Sequence, residues 1–405
     1  MADLFWPGDE RADGLLDDGA LLTAMVAVEQ AWLDALVSAH VAPASAAADL
    51  TGAVGGTDAP ELASGAEAGG NPAIGLVAML RDRTTGETSQ WLHRGLTSQD
   101  VVDTALVLCL REAIDRVLTD LDRQLGLLAD LAHHHRDTVM VGRTLTQHAV
   151  PITFGVKVAS WIDGLVDART AVVGARDGLA VQVGGAAGTL AAAVELTGSL
   201  DAALDLVDRT AAALGLPSAP PWHTSRVRMT RTGDALTTLA DAWGHLAADA
   251  ATLSRPEIDE VREGIGGGSS TMPHKSNPVL SVLLRRHAFA APGLASTLHV
   301  AAGAAVDERP DGAWHAEWAA LRDLGRRSVV AAGQASDLLA GLRVDTDAMS
   351  RTLATAQGVD AEQQSMVALT GRAPAPNYLG AAHHVVDTAV ARARQAARPT
   401  PEEGA

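Results

Sequence analysis

From Leu110 to Leu131 an apolar side chain recurs every three or four residues, through Ile114, Val117, Leu121, Leu125 and Leu128, which is one face of a helix carried over several turns. Phe154, Val158, Trp161, Leu165 and Val172 form a second such stripe, and Leu236, Leu239, Trp243, Leu246, Ala250 and Leu253 a third. A stripe of this length needs other helices laid along it, and antiparallel packing of several gives an elongated bundle. Apolar residues are 47% of the chain but aromatics only 3%, so Ala, Leu and Val do the packing, which suits helices in close approach.

These patterns predict an all-α fold in three parts. Before residue 105 the periodicity is short and broken, with a helix around Leu21 to His40 and a Gly/Ala/Pro-rich stretch from Pro43 to Pro72, so residues 1–105 read as a smaller N-terminal helical domain. Residues 106–345 carry the long stripes and read as the central bundle. Residues 346–405 read as a short C-terminal helical domain, interrupted by Pro374, Pro376 and Asn377 and ending in a tail expected to be disordered. There is no solenoid repeat. No strand-rich region is visible, although a small hairpin near Gly266 or at Gly184-Gly185 escapes this kind of reading.

Length and charge exclude several functions. A chain of 405 residues has room for two or three domains. A net charge of −18 opposes nucleic acid and acidic membranes, so neither is expected as a partner, and cations that bind an anionic substrate must be gathered locally. The N-terminal residues lack a basic leader, and no window holds the roughly 18 uninterrupted apolar residues of a membrane span, which points to the cytoplasm. The single cysteine, Cys109, excludes an intramolecular disulfide and sits in an apolar helical run, where a buried, inert thiol is expected. Gly184, Gly185 and Gly188 lack dinucleotide-loop spacing. Adjacent helical residues such as His133, His134 and His135 point about 100° apart and do not converge on a metal. No cofactor or metal is expected.

One segment mixes residue types that structure alone seldom requires. Residues 264–278 run Gly-Ile-Gly-Gly-Gly-Ser-Ser-Thr-Met-Pro-His-Lys-Ser-Asn-Pro. Gly266, Gly267 and Gly268 permit a hinge. Asn277-Pro278 has the pattern of an N-cap followed by proline at the first helical position, and a helix start favours an anion. By spacing alone, both a surface loop before a capped helix and a closing lid fit.

Gly268 to Pro278 resembles the signature loop of the fumarase/aspartase superfamily, and three further segments extend the likeness from about Asn71 to Trp318. The resemblance implies that Ser269 is the acid/base at carbon, that Lys275 and Asn277 hold the carboxylate beside that carbon, and that Ser270 and Met272 line the substrate. Trp91 to Ala105 resembles the first conserved region and implies carboxylate binding by Thr97 and Ser98 with His93 nearby; Thr97 and Asp100 also fit a capping pair. Gly142 to Pro151 resembles the second conserved region, offering Thr144 and Gln147 as substrate-binding residues and His148 as a catalytic candidate. Many superfamily lyases have histidine at Leu145 and its glutamate partner at Val282; this chain has neither.

Missing acid chemistry suits a leaving group that needs no proton. A carboxylate's conjugate acid has a pKa of only about 4, so it departs or adds without help. Asp307 to Trp318, which includes Arg309, resembles a stretch of the carboxymuconate cycloisomerase branch, as do Gln182 to Thr189 and Pro221 to Arg226, the latter departing at Ser225 and Val227 where Gln and Asp are expected. The implied reaction closes 3-carboxy-cis,cis-muconate to a carboxymuconolactone in aromatic catabolism, on a small polycarboxylate substrate. The implied assembly is a homotetramer with active sites shared between subunits. Two alternatives belong to other classes: a lyase expelling a weak base such as nitrite or, less suited for want of the histidine, an amine, and a noncatalytic structural homologue.

Overall fold

The computed structural model describes residues 3–264, 267–268, 271–272 and 275–397. Helix is the dominant element among them, as the periodicity predicts. The N-terminal region contains α1 (Asp18–Ser38), α2 (Ala59–Gly69), α3 (Ala73–Asp82) and α4 (Gly86–Trp91), and the first long helix, α5, covers Ser98–His134. A hairpin, β1 (Val139–Thr144) and β2 (Gln147–Thr153), leads into α6 (Phe154–Asp177). Then come α7 (Ala191–Thr197), α8 (Leu200–Ala213), α9 (Val227–Leu253), β3 (Val261–Arg262), α10 (Val279–Gly303), α11 (Gly312–Gly341) and β4 (Arg343–Val344). The helices α12 (Thr346–Thr355), α13 (Ala361–Thr370) and α14 (Ala382–Ala396) follow.

The chain packs as two compact units, each built from three separated stretches. Residues 1–116, 174–235 and 292–329 form the first, and residues 117–173, 236–291 and 330–405 the second. The predicted stripes are core: Leu110, Leu121, Leu125, Phe154, Val158, Leu165, Leu239 and Trp243 have no exposed surface. In the second unit, α5, α9 and α11 are tied through one buried amide, Gln124, whose oxygen accepts from Trp243 Nε1 at 2.8 Å while its nitrogen donates to the Ala332 carbonyl at 2.9 Å. Such a polar tie is stable in an apolar core because both partners are satisfied.

In the first unit, α1 is long and apolar enough by composition to cross a membrane, but most of it is buried inside the protein. Asp17 caps its start by accepting from Ala20 N–H at 2.8 Å. Trp32 has no exposed surface and donates to the Arg94 carbonyl at 2.7 Å, pinning the loop before α5. Cys109 is buried, and burial pushes its thiol up to about 12, which fits an inert core side chain.

The hairpin over 139–153 is a departure from the helical expectation. Its two central residues, Leu145 and Thr146, have φ of 48° and 72°, the left-handed pair of a two-residue turn closed by Thr144 and Gln147. The register slips between Val141 and Arg143. A Cβ at the intervening Gly142 would meet the Val150 carbonyl oxygen at 2.6 Å, so only glycine lets the bulge form.

Candidate active site

The described site residues fall into two groups, one in each unit. In the first unit, Thr97 stands at the start of α5 and Ser98 is its first residue. Thr97 N–H donates to Asp100 Oδ2 at 3.0 Å, so the carboxylate half of the predicted capping pair is present. The Thr97 hydroxyl does not cap; it accepts from Arg309 Nη2. Arg309 and Thr97 are thus brought together, leaving a guanidinium and a helix N-terminus at one place, a combination suited to a carboxylate.

His93 lies in the same unit, and its Nδ1 is 2.6 Å from Oε1 of Glu29 on α1. Glu29 is almost wholly buried, and its Oε2 has no hydrogen-bond partner among the described residues. A carboxylate accepting from Nδ1–H fixes the ring and leaves Nε2 as the atom that can face a ligand. His93 also sits at φ 63°, an uncommon backbone conformation for a non-glycine residue. Sequence reasoning missed Glu29, which lies 64 residues away on another helix.

The interior face of α5 explains the motif around Thr97 and Ser98. Asp100 has no exposed surface; besides Thr97 it accepts from Gly184 N–H and Gly185 N–H, each at 2.9 Å, and from Gln182 Nε2 at 3.1 Å, with His223 Nε2 at 3.0 Å. One turn on, Asp103 receives the forked guanidinium of Arg226 at 2.7 and 2.9 Å, and Trp314 Nε1 at 2.9 Å. Arg226 reaches Glu317 as well, at 2.7 Å, and lies 4.9 Å from the centre of the Trp222 ring. Burial works against the Arg226 charge, but Asp103 and Glu317 outweigh it and hold the guanidinium above its ordinary value. Gln182, Gly184, Gly185, Trp222, His223, Arg226, Trp314 and Glu317 are therefore the scaffold behind α5. Trp314 and Glu317, from the stretch that resembles the cycloisomerase branch, are buried in this scaffold.

The second unit carries Thr144, Gln147 and His148, all exposed on the hairpin. Arg143 anchors the hairpin by a two-pronged pair with the fully buried Glu260 at 2.9 and 2.8 Å. Leu145, at the tip, is 95% exposed. Ser269 and Ser270, the proposed carbon acid/base and its neighbour, lie outside the described residues, as does Gly266.

Around them, Gly267 and Asn277 exchange two backbone hydrogen bonds at 2.9 and 2.8 Å, closing the base of the loop. Gly267 is consequently pinned, in contrast to the free hinge its neighbours suggest. A Cβ there would meet Val279 Cγ2 at 2.1 Å, so close approach makes glycine necessary. Lys275, Met272 and Asn277 line a cavity of about 1070 Å³ together with Arg262 and Arg343, and the exposed Lys275 has no ion pair among the described residues.

The start of α10 corrects another expectation. The helix begins at Val279, and its first-turn donors are taken by Glu263, which accepts from Leu280 N–H at 3.1 Å and from Ser281 N–H and Oγ at 2.8 and 2.6 Å. Asn277 contributes only a long side-chain contact to the Gly268 carbonyl at 3.5 Å. The anion that the helix N-terminus attracts is the protein's own carboxylate. Val282, on the first turn of α10, is 53% exposed, so neither it nor Leu145 is a core substitution.

Comparison with known proteins agrees with this architecture. The Lyase family model matches residues 61–293. The chain is 40% identical to a nitrosuccinate lyase from Streptomyces davaonensis over 92% of its own length and 81% of that protein, and 39% identical to a 3-carboxy-cis,cis-muconate cycloisomerase from Bradyrhizobium diazoefficiens over 93% and 83%. The crystal structure of the 3-carboxy-cis,cis-muconate lactonizing enzyme from Pseudomonas putida superposes with a TM-score of 0.86 at 32% identity, covering 96% of this chain and 97% of that one. Motifs, helical architecture and relatives agree: this chain belongs to the fumarase/aspartase superfamily and is an enzyme of that group.

Proposed function

We propose that the enzyme is a 3-carboxy-cis,cis-muconate cycloisomerase. The observation that carries the reading is the likeness over almost the whole chain to the 3-carboxy-cis,cis-muconate lactonizing enzyme, and it is consistent with the exposed apolar side chains of Leu145 and Val282, neither of which can move a proton. Ser269 delivers a proton to the carbon beside one substrate carboxylate while an internal carboxylate oxygen attacks the neighbouring alkene carbon. One C–H and one C–O bond form, the Ser269 O–H bond and the alkene π bond are consumed, and the serine regains its proton from solvent before the next turnover. Lys275 and Asn277 hold the carboxylate next to the protonated carbon, where their donors matter most as negative charge builds up. Thr97, Ser98, Thr144 and Gln147 take the remaining carboxylates, with His93, His148 and Arg309 orienting the extra charge and Ser270 and Met272 against the substrate.

The site is completed between chains of a homotetramer, with the Thr97 group and the Lys275 group supplied by different subunits. Support comes from uncovered apolar surface: besides Leu145, Val282 and Phe289 lie seven residues apart on one face of α10 and are 53% and 75% exposed. A cytoplasmic enzyme of aromatic catabolism fits this reading.

A second reading, elimination of a weak base such as nitrite from a succinate-type substrate, is favoured by the 40% identity to nitrosuccinate lyase and needs no acid either. The test is to mix the purified protein with 3-carboxy-cis,cis-muconate and follow loss of diene absorbance, with nitrosuccinate, adenylosuccinate and argininosuccinate in parallel. Turnover of the muconate alone supports the first reading, and turnover of nitrosuccinate alone replaces it with the second. Ser269→Ala should abolish turnover with folding intact; near-normal activity excludes Ser269 as the acid/base at carbon.

A further inference from the structure

Outside both groups of site residues, a cavity of about 330 Å³ opens in the first unit at the first turn of α9. Trp222 forms one wall, and Ser225, Val227, Arg228 and Arg231 come from the start of the helix. Arg228 and Arg231 are three residues apart and share a face. Arg228 Nη1 donates to the Gly178 carbonyl, which holds the guanidinium in place while Nε and Nη2 have no partner among the described residues. Arg231 is exposed and makes no ion pair among them. No acidic side chain lines the cavity, although the chain has 49 acidic residues against 31 basic ones. Burial, and then the charge of Arg231, pull the Arg228 guanidinium below its ordinary value, as expected for two cations left without a counter-charge.

The two departures noted in the sequence, Ser225 and Val227, both face this cavity. A short hydroxyl at 225 leaves room, and an uncharged side chain at 227 leaves the arginine charges uncompensated. The positive end of the 27-residue helix α9 adds to the same field.

We propose that this cavity is a second anion site, which binds a compact dianion, a phosphate group or a small dicarboxylate, between Arg228 and Arg231. Guanidinium groups suit both because each presents planar pairs of oxygens. Occupancy supplies the missing counter-charge and so stabilises the fold.

The test uses the full-length wild-type protein in a buffer without multivalent anions, titrated with inorganic phosphate and, separately, with succinate. Calorimetry should show one saturable site per chain for at least one of them, the preferred anion identifying the ligand class, and thermal unfolding should move up by a few degrees at saturation. Arg231→Gln should weaken that binding by at least roughly tenfold, the loss of one charge-assisted contact. With no anion present the variant should unfold at or above the wild-type temperature, because a repulsion has been removed. Lys275→Gln should keep the response. If neither anion binds, or if binding survives Arg231→Gln and disappears in Lys275→Gln, the proposal is overturned.

Discussion

Leu145 offers the sharpest test of the shared site. It occupies the hairpin tip with φ 48° and is 95% exposed, two properties that disfavour leucine in an isolated chain. A left-handed backbone costs an ordinary L-residue about 1–2 kcal/mol, most of which asparagine avoids. On a free-standing hairpin Leu145→Asn should therefore stabilise by about 1 kcal/mol. A tip covered by a neighbouring chain gives the opposite sign: burying a leucine contributes about 1.5–3 kcal/mol, and an unpaired amide in its place costs about 1–3 kcal/mol more. The net expectation is a loss of about 2 kcal/mol per chain, seen in a chain of 405 residues as a fall of about 2 °C in unfolding temperature. Thermal unfolding and sedimentation velocity, each over a range of protein concentrations, provide the readout. Weaker assembly should accompany the fall. A rise in unfolding temperature with unchanged assembly refutes the shared-site argument.

Other expectations concern the parts behind the site. Asp103→Asn leaves the buried Arg226 with one carboxylate and should destabilise by about 3 kcal/mol or more in urea unfolding, whereas a surface change such as Asp201→Asn should alter stability by less than about 0.5 kcal/mol. Glu29→Gln keeps a hydrogen-bond acceptor beside His93 but removes a charge; steady-state kinetics on the muconate should show kcat/KM reduced by roughly ten- to a hundredfold with the unfolding temperature nearly unchanged, and unaltered kinetics would dismiss His93 orientation as relevant. His135 is packed against Phe154, and burial, followed by His134, pulls its imidazole down to about 4 from an ordinary 6.5. The neutral ring is favoured in the fold, so its contribution is full above about pH 6.5 and is lost as pH falls towards 4. His135→Gln should remove up to one proton's slope, about 1.4 kcal/mol per pH unit, from the stability profile in that window.

The long helices were legible because their stripes are local repeats: Leu110 to Leu128 and Phe154 to Val172 are core as the spacing requires. The hairpin was not, because Leu145-Thr146 lacks the Asn or Gly that usually marks a two-residue turn. The capping pair at Thr97 and Asp100 could be read at a distance of three residues, but the glycines and His223 that share Asp100 come from segments more than 80 residues away. Asn277 had the sequence signature of a cap, and Glu263 won the position from across the loop because a full charge interacts more strongly with first-turn donors than a neutral amide does. Lys275 and Asn277 were readable as loop chemistry, while the support given by Glu29, Glu260 and Glu263 is tertiary and left no mark at motif spacing.

The opening turn of α5 looks in two directions. Gln99, Asp100 and Asp103 are locked inward, while Thr97 and Ser98 remain partly open to solvent. On the proposed role of Thr97 and Ser98, engineering a new specificity can treat the outer pair as interchangeable fittings on a fixed mount, whereas altering the inner trio dismantles the bracket on which they sit.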